Sequence, residues 1–186
     1  MSYKENFQVI DKETGRPFWI SRSMAVCGII LAVNPETNEV NFLVEKRGEG
    51  CPDYVGYYCN SCGYLGWGET LLEAVIREIK EELGLDFTPV AEDITMWEIQ
   101  DNPSDNSRQN VTVRYVIPTS YEFLKNFVEL EIPDLDTEKR GGEPNEVAEI
   151  RLISEKEIDD YLWAWNHGDL LKKLAESYHD SEKEEN

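Results

Sequence analysis

The chain has 186 residues, 40% hydrophobic and 11% aromatic, enough for one domain with a packed core and too few for two comfortable ones. Its 38 acidic residues against 18 basic ones give a net charge of −20, which repels phosphate backbones and anionic lipid and so excludes a nucleic-acid polymer or a membrane surface as the expected partner. No run approaches the ~20 apolar residues of a membrane span, the N-terminus has no apolar signal core, and four cysteines do not read as a disulfide scaffold, so the expected location is cytoplasmic.

In chain order, a turn at 12–16 leads into a short apolar run at 17–21. The stretch 24–33 is long, β-branched and almost uncharged, as suits a central strand. A turn cluster at 34–39 precedes a returning strand at 40–44, and a loop rich in Gly and Tyr follows from about 48 to 68. The clearest helix is 71–83, with Thr70 and Glu73 fitting a capping box and Gly84 placed as its left-handed terminator. Strands are expected at 94–99 and 110–117 around a polar loop, and at 148–153 after an acidic loop at 133–144. Ser154 with Glu157 opens a further helix, and 169–178 forms the last one. Strands on both sides of a central helix indicate a mixed α/β domain over residues 1–178, with 179–186 as an acidic disordered tail.

The central helix carries the chemistry. At about 100° per residue its apolar side chains, Val75 and Ile79 among them, share one arc, while Glu78, Glu81 and Glu82 share a neighbouring one. Three carboxylates there repel one another, and a hard divalent cation would relieve that repulsion. Helix geometry alone leaves an ordinary solvated acidic face equally open.

The wider spacing decides between them. Residues 63–85 read G-x5-E-x7-R-E-U-x-E-E-x-G-U, with U apolar, and every specified position is filled. Chance would produce such a match on the order of once in a million. This pattern is the Nudix box, and the chain resembles the Nudix hydrolases closely over 63–85 and more loosely elsewhere. The resemblance implies an α/β/α sandwich with a mixed β-sheet, in which the box forms a loop–helix–loop lining a Mg²⁺ or Mn²⁺ site. It assigns the Gly63 carbonyl, Glu78, Glu81 and Glu82 to the metal, one of the glutamates being the base. Arg77 and Glu69 would brace the box by ion pairing. A further acid on a later loop is common in the family; Glu146, then Glu143 and Glu149, are the candidates here. The implied activity is hydrolysis of the diphosphate linkage in a nucleoside diphosphate joined to another moiety, such as an ADP-ribose-like compound or a nucleotide sugar. The partner is then a small nucleotide; members of the family often form homodimers, and no segment identifies an interface. A nucleotide sensor that binds without cutting is the rival reading, although the known regulators add a DNA-binding domain.

The chain departs from the commoner pattern in having Ser61-Cys62 before Gly63 and Gly66 where many relatives have Glu. Both departures bear on substrate and leave the box positions intact. Outside the box, Arg47 could meet a substrate phosphate or be an exposed turn residue. Trp19 and Tyr58, and less so Trp67 and Trp97, could stack on a base or simply pack. Cys51, Cys59 and Cys62 fall short of a zinc set, since Cys27 lies in a strand and His167 and His179 are far along the chain, so buried thiols are expected. The polar loop at 101–108 is similar to a segment of ADP-ribose-type relatives, with Pro103 not clearly in register.

Overall fold

Two short strands, β1 (Phe7–Ile10) and β2 (Pro17–Ile20), pair antiparallel as a separate ribbon. The uncharged stretch after them becomes β3 (Met24–Val33), the spine of the main sheet. The sheet also contains β4 (Val40–Arg47), β5 (Tyr58–Cys59), β6 (Ser61–Tyr64), β7 (Thr95–Gln100), β8 (Val111–Pro118) and β9 (Val147–Ser154). This computed structural model describes residues 6–102, 110–130 and 133–185, and among them the strands run β5-β4-β3-β8-β7, with β6 added to β3 and β9 to β4. The β3–β8 pair is parallel, from Met24 opposite Val111 to Leu31 opposite Pro118, and the other pairs are antiparallel.

β3 changes partner along its length. Residues 30–33 pair with β4, whereas 25–28 pair with β6, so the sheet divides beside the first half of β3. Ligand sites tend to form where strands part in this way.

Period-two alternation sends neighbouring β3 residues to opposite faces. Val26 and Ile30 pack with Val75, Ile79 and Leu83 of α1 (Leu71–Leu83) and with Leu124 and Phe127 of α2 (Tyr121–Glu129). Cys27 and Ile29 join Phe42 and Val44 against Leu170, Leu171 and Leu174 of α3 (His167–Glu185). Helices thus cover both faces of a mixed sheet, an α/β/α sandwich. Each fully buried Val, Leu or Ile contributes about 1.5–3 kcal/mol. Gly28 sets the closeness of α1, because a Cβ there would lie 2.7 Å from Ile79 and 2.9 Å from Val75.

The α1 boundaries agree with the sequence. The Thr70 hydroxyl accepts from the Glu73 amide at 3.2 Å, the Glu73 carboxylate accepts from the Thr70 amide at 2.7 Å, and Gly84 closes the helix at φ 77°. Other elements differ. The capping box at Ser154 starts a short 3-10 helix, Glu155–Asp160, and not an α-helix. The sequence reading passes over α2, though Ser120 caps it, and over β1, β5 and β6. The last helix extends through 179–185, assigned above to a disordered tail; His179 meets the Glu155 carboxylate at 2.9 Å and Lys183 pairs with Asp180 at 2.8 Å. No helix among the described residues is long and apolar enough to cross a membrane. The loop residues 103–108, Pro103 included, lie outside the described residues.

Candidate active site

A cleft of about 480 Å³ opens where the sheet divides. The N-terminal half of β3 and β8 line its floor, α1 supplies acids, and the 141–146 and 165–167 loops close its sides. Gly63, Arg77, Glu78, Glu81, Glu82, Glu146 and Arg47 all line it, as does Glu143. Trp19 does not: it stands 69% exposed on the separate β1–β2 ribbon. Tyr58 does not either. It is 7% exposed, donates its hydroxyl to Glu149 at 2.8 Å and packs edge-on against Tyr161, so it sits in a packed wall, and neither it nor the half-buried Glu149 lines the cleft. Trp67 projects into solvent and Trp97 lines a different hollow.

Arg77 links the loop before α1 to the helix itself. Its guanidinium donates to Glu69 from Nε at 2.9 Å and Nη2 at 2.8 Å, and Nη2 also reaches the Tyr64 carbonyl at 3.0 Å, tying loop to helix. The same group's Nη1 holds Glu78 at 2.8 Å and Glu81 at 3.0 Å. Two carboxylates on consecutive turns thereby meet on one cationic nitrogen, and Arg77 relieves the repulsion that helix geometry predicted. Hydrogen bonding to Arg77 also holds the Glu69 carboxyl below its ordinary range.

Glu82 is the most buried of the three helix acids. It is 5% exposed and turns inward, where its Oε2 accepts from the Ser61 hydroxyl and from the Cys62 amide at 3.0 Å. Burial drives its pKa well up, and Glu45 and Cys62 add to the shift. Burial also raises Glu78 to about 7 against the pull of Arg77, with Glu81 and Glu146 adding repulsion. Glu146 is raised by burial, and its carboxylate accepts from the Glu143 amide at 3.0 Å. Glu45, 2% exposed on β4, is pushed to about 8 by burial, and its Oε2 has no partner among the described residues. These acids are held in a region that disfavours their full ionisation, as a site built for an added cation would be.

Further geometry tests the fit of such a cation. A Cβ at position 63 would overlap the Glu78 carboxylate, so only glycine lets that carboxylate lie against the β6 backbone. The available donors are hard oxygens, suited to Mg²⁺ or Mn²⁺. Among the described residues no three His, Cys, Asp or Glu side chains converge on one point. Mg²⁺ is typically held by one or two carboxylates plus substrate phosphates, so a convergent trio is not required. All four cysteines are free thiols.

Arg47 faces the cleft through a β-bulge between Lys46 and Arg47, the kind of irregularity that re-aims a side chain at a strand end. It is mostly engaged already, donating to the Asp53 carbonyl and carboxylate at 3.0 Å each and lying 4.8 Å over the Trp165 ring. The sequence reading missed Glu45, Thr112, Arg114, Trp165 and Asn166, and read His167 only as a remote zinc candidate. A charged residue at an alternating position of an apolar strand is the one signal that pointed to Glu45 and Arg114. His167 is buried and held neutral, its pKa lowered to about 3 by burial and by Arg114 and Arg47. Its Nδ1 accepts from the Asn60 amide at 3.1 Å, which leaves the ring proton on Nε2.

A sequence profile described as NUDIX domain matches residues 23–174. No curated protein matches the chain in sequence. Among solved structures, the NUDIX domain of Shewanella oneidensis NrtR complexed with ADP ribose is similar at TM-score 0.64 and 15% identity, over 86% of this chain and 90% of that one. A mutT/nudix family protein from Listeria innocua aligns at TM-score 0.61 and 21% identity, over 86% and 95%. A bifunctional NMN adenylyltransferase/ADP ribose pyrophosphatase from Francisella tularensis, complexed with AMP and a Mn ion, aligns at TM-score 0.59 and 17% identity, over 84% of this chain and 42% of that one. At these identities the likeness is one of fold.

Proposed function

The chain belongs to the Nudix family, and from that premise we propose that it is a Mg²⁺- or Mn²⁺-dependent hydrolase that cuts the diphosphate linkage of a nucleoside diphosphate joined to another moiety, of the ADP-ribose or nucleotide-sugar class. The observation that carries this reading is that Gly63, Glu78, Glu81, Glu82 and Glu146 line one cleft, with burial opposing the ionisation of Glu78, Glu82 and Glu146. The ADP ribose, and the AMP with Mn, in two structures of the same fold support the substrate class and the cation.

Glu78 and Glu81, with Glu82, Glu146 and the Gly63 carbonyl close by, would hold the cation. The bound ion would neutralise phosphate oxygens on both sides of the breaking bond and lower the pKa of the attacking water. A glutamate of this set accepts that water's proton. Arg77, fixed by Glu69 and the Tyr64 carbonyl, keeps the loop and helix in register while charge builds on the substrate. Arg47, stacked on Trp165, adds positive charge at the rim of the same cleft.

Formation of the nucleoside monophosphate, measured by nucleotide separation over ADP-ribose, nucleotide sugars, dinucleotides and nucleoside triphosphates with Mg²⁺, tests the proposal. Turnover of at least one X-linked diphosphate is expected, abolished by EDTA and restored by Mn²⁺. Glu81→Gln and Glu82→Gln should each lower it about 100-fold or more. Full activity in both variants, or turnover of simple triphosphates alone, would overturn the reading. Silence across the panel with intact ligand-induced thermal shifts would favour a sensor.

A further inference from the structure

Arg114 is the least explained charge in the cleft. It lies on β8, is 6% exposed, and lines the cleft floor. Its Nη1 pairs with Glu98 and its Nη2 donates to the Asn166 side-chain oxygen at 2.9 Å, while its buried Nε has no partner among the described residues. An unpaired buried donor of this kind costs about 1–3 kcal/mol, or more when charged. Glu98 does not cancel the cation either, because its other oxygen holds Lys173 at 2.6 Å. Arg114 and Lys173 thus share one carboxylate.

Arg114 lines the cleft floor among small neighbours. In the parallel register Cys27 lies opposite Arg114 and Ala25 opposite Thr112, so the floor beside the guanidinium is made of small side chains. Thr112, Asn166 and Gln100 add neutral hydrogen-bonding groups around it. Asn166 is held in place by its loop: the Ala164 amide donates to the Tyr58 carbonyl at 2.9 Å, the Tyr58 amide donates to the Leu162 carbonyl at 2.7 Å, and Trp165 takes a left-handed φ of 52°. One cation ringed by hydroxyl and amide groups suits an oxygen-rich ligand better than an apolar one, and with the diphosphate assigned to the acids and their cation, the oxygen-rich part left for Arg114 is the attached sugar.

We propose that Arg114, positioned by Asn166, is the specificity-determining residue that receives acceptor oxygens of the sugar attached to the diphosphate. This deepens the hydrolase reading and rests on it for the position of the diphosphate. The proposal explains why a charged side chain sits at a buried strand position with a donor to spare, and why its neighbours on β3 are small.

Calorimetric titration in the Glu82→Gln background with Mg²⁺ present, so that bound compound is not consumed, tests it. ADP-ribose is compared with ADP, and UDP-glucose with UDP. The sugar-linked member of at least one pair should bind 10-fold or more tighter than its truncated partner. Adding Arg114→Lys, which keeps the charge and loses the planar donor array, should shrink that ratio about 10-fold. Adding Asn166→Ala should shrink it about 3-fold, and this variant decides the matter if Arg114→Lys does not fold. No preference in either pair, no binding of any of the four, or an equal loss for both members of a pair would overturn the proposal. Turnover of the unsubstituted protein, measured in parallel, separates the two claims. A preference that survives Arg114→Lys in an active enzyme sinks only the role of Arg114, and a preference without turnover sinks only the hydrolase reading.

Discussion

Among the described residues, one hollow lies at each end of the parallel β3–β8 pair, and the larger is not the one that gathers the acids. The hollow of about 1040 Å³ lies beyond Leu31 and Pro118, between α2 and α3, and is lined by Trp97, Tyr121, Tyr178 and Lys125. The smaller cleft, at the strand starts, holds buried carboxylates with raised pKa values, a neutral histidine and an arginine with an unmatched donor. Size measures where side chains failed to meet. Buried charge that the fold leaves uncompensated measures where something else is meant to bind.

Substitutions at the two hollows should separate sharply. Gly63→Ala forces a Cβ into the Glu78 carboxylate and should lower turnover about 100-fold, the scale expected when a catalytic acid is displaced. Lys125→Ala in the larger hollow should leave kcat/KM within about twofold. Equal effects at the two positions would erase the distinction.

Protonation offers a second contrast, confined to the cleft. Glu78 and Glu45, with folded pKa values of about 7 and about 8, bind more protons folded than unfolded between pH ~4.5 and ~8. Stability of the metal-free protein should therefore fall as pH rises through that window. Asp86, lowered to about 2, acts in the opposite sense only below pH ~4, while His167, lowered to about 3, opposes the trend below pH ~6.5 and reduces the slope set by the two carboxylates without reversing it. Melting in EDTA should occur several degrees higher at pH 5.5 than at pH 8, at roughly 2–4 °C per kcal/mol. Glu45→Gln should flatten much of the slope, whereas substitutions in the larger hollow should leave it unchanged.

The smallest effect is expected away from both hollows. Gly84→Ala places a Cβ on a residue at φ 77° and should cost about 1 kcal/mol of stability, read as a lower melting temperature with unchanged turnover.

What the sequence disclosed follows the same division. Local physics wrote α1 into the chain: the Thr70 and Glu73 cap, the apolar arc and the glycine stop are all short-range signals. The box spacing led to Gly63, Arg77, Glu78 and Glu81 because those residues act from one helix and the loop before it. The box spacing also named Glu82, but its inward turn was not legible, since it depends on Ser61 and Cys62 in a strand that the sequence presents as a loop. Arg114 was illegible because its meaning arises from register, with Cys27 opposite it and Asn166 52 residues further on. Trp19 and Tyr58 were chosen for residue type alone, and the fold sends one to solvent and the other into a wall.

The alternation of β3 ties two jobs to a single count. Val26 and Ile30 hold α1, Gly28 admits it, and the intervening Ala25 and Cys27 floor the cleft. Inserting one residue early in this strand would swap every later member to the opposite face, unseating the helix that carries the acids and roughening the floor in the same stroke. The spine therefore tolerates conservative exchange but no change of length. Any retuning toward a different ligand has to be made in the flanking loops, where a residue can be added without shifting its neighbours.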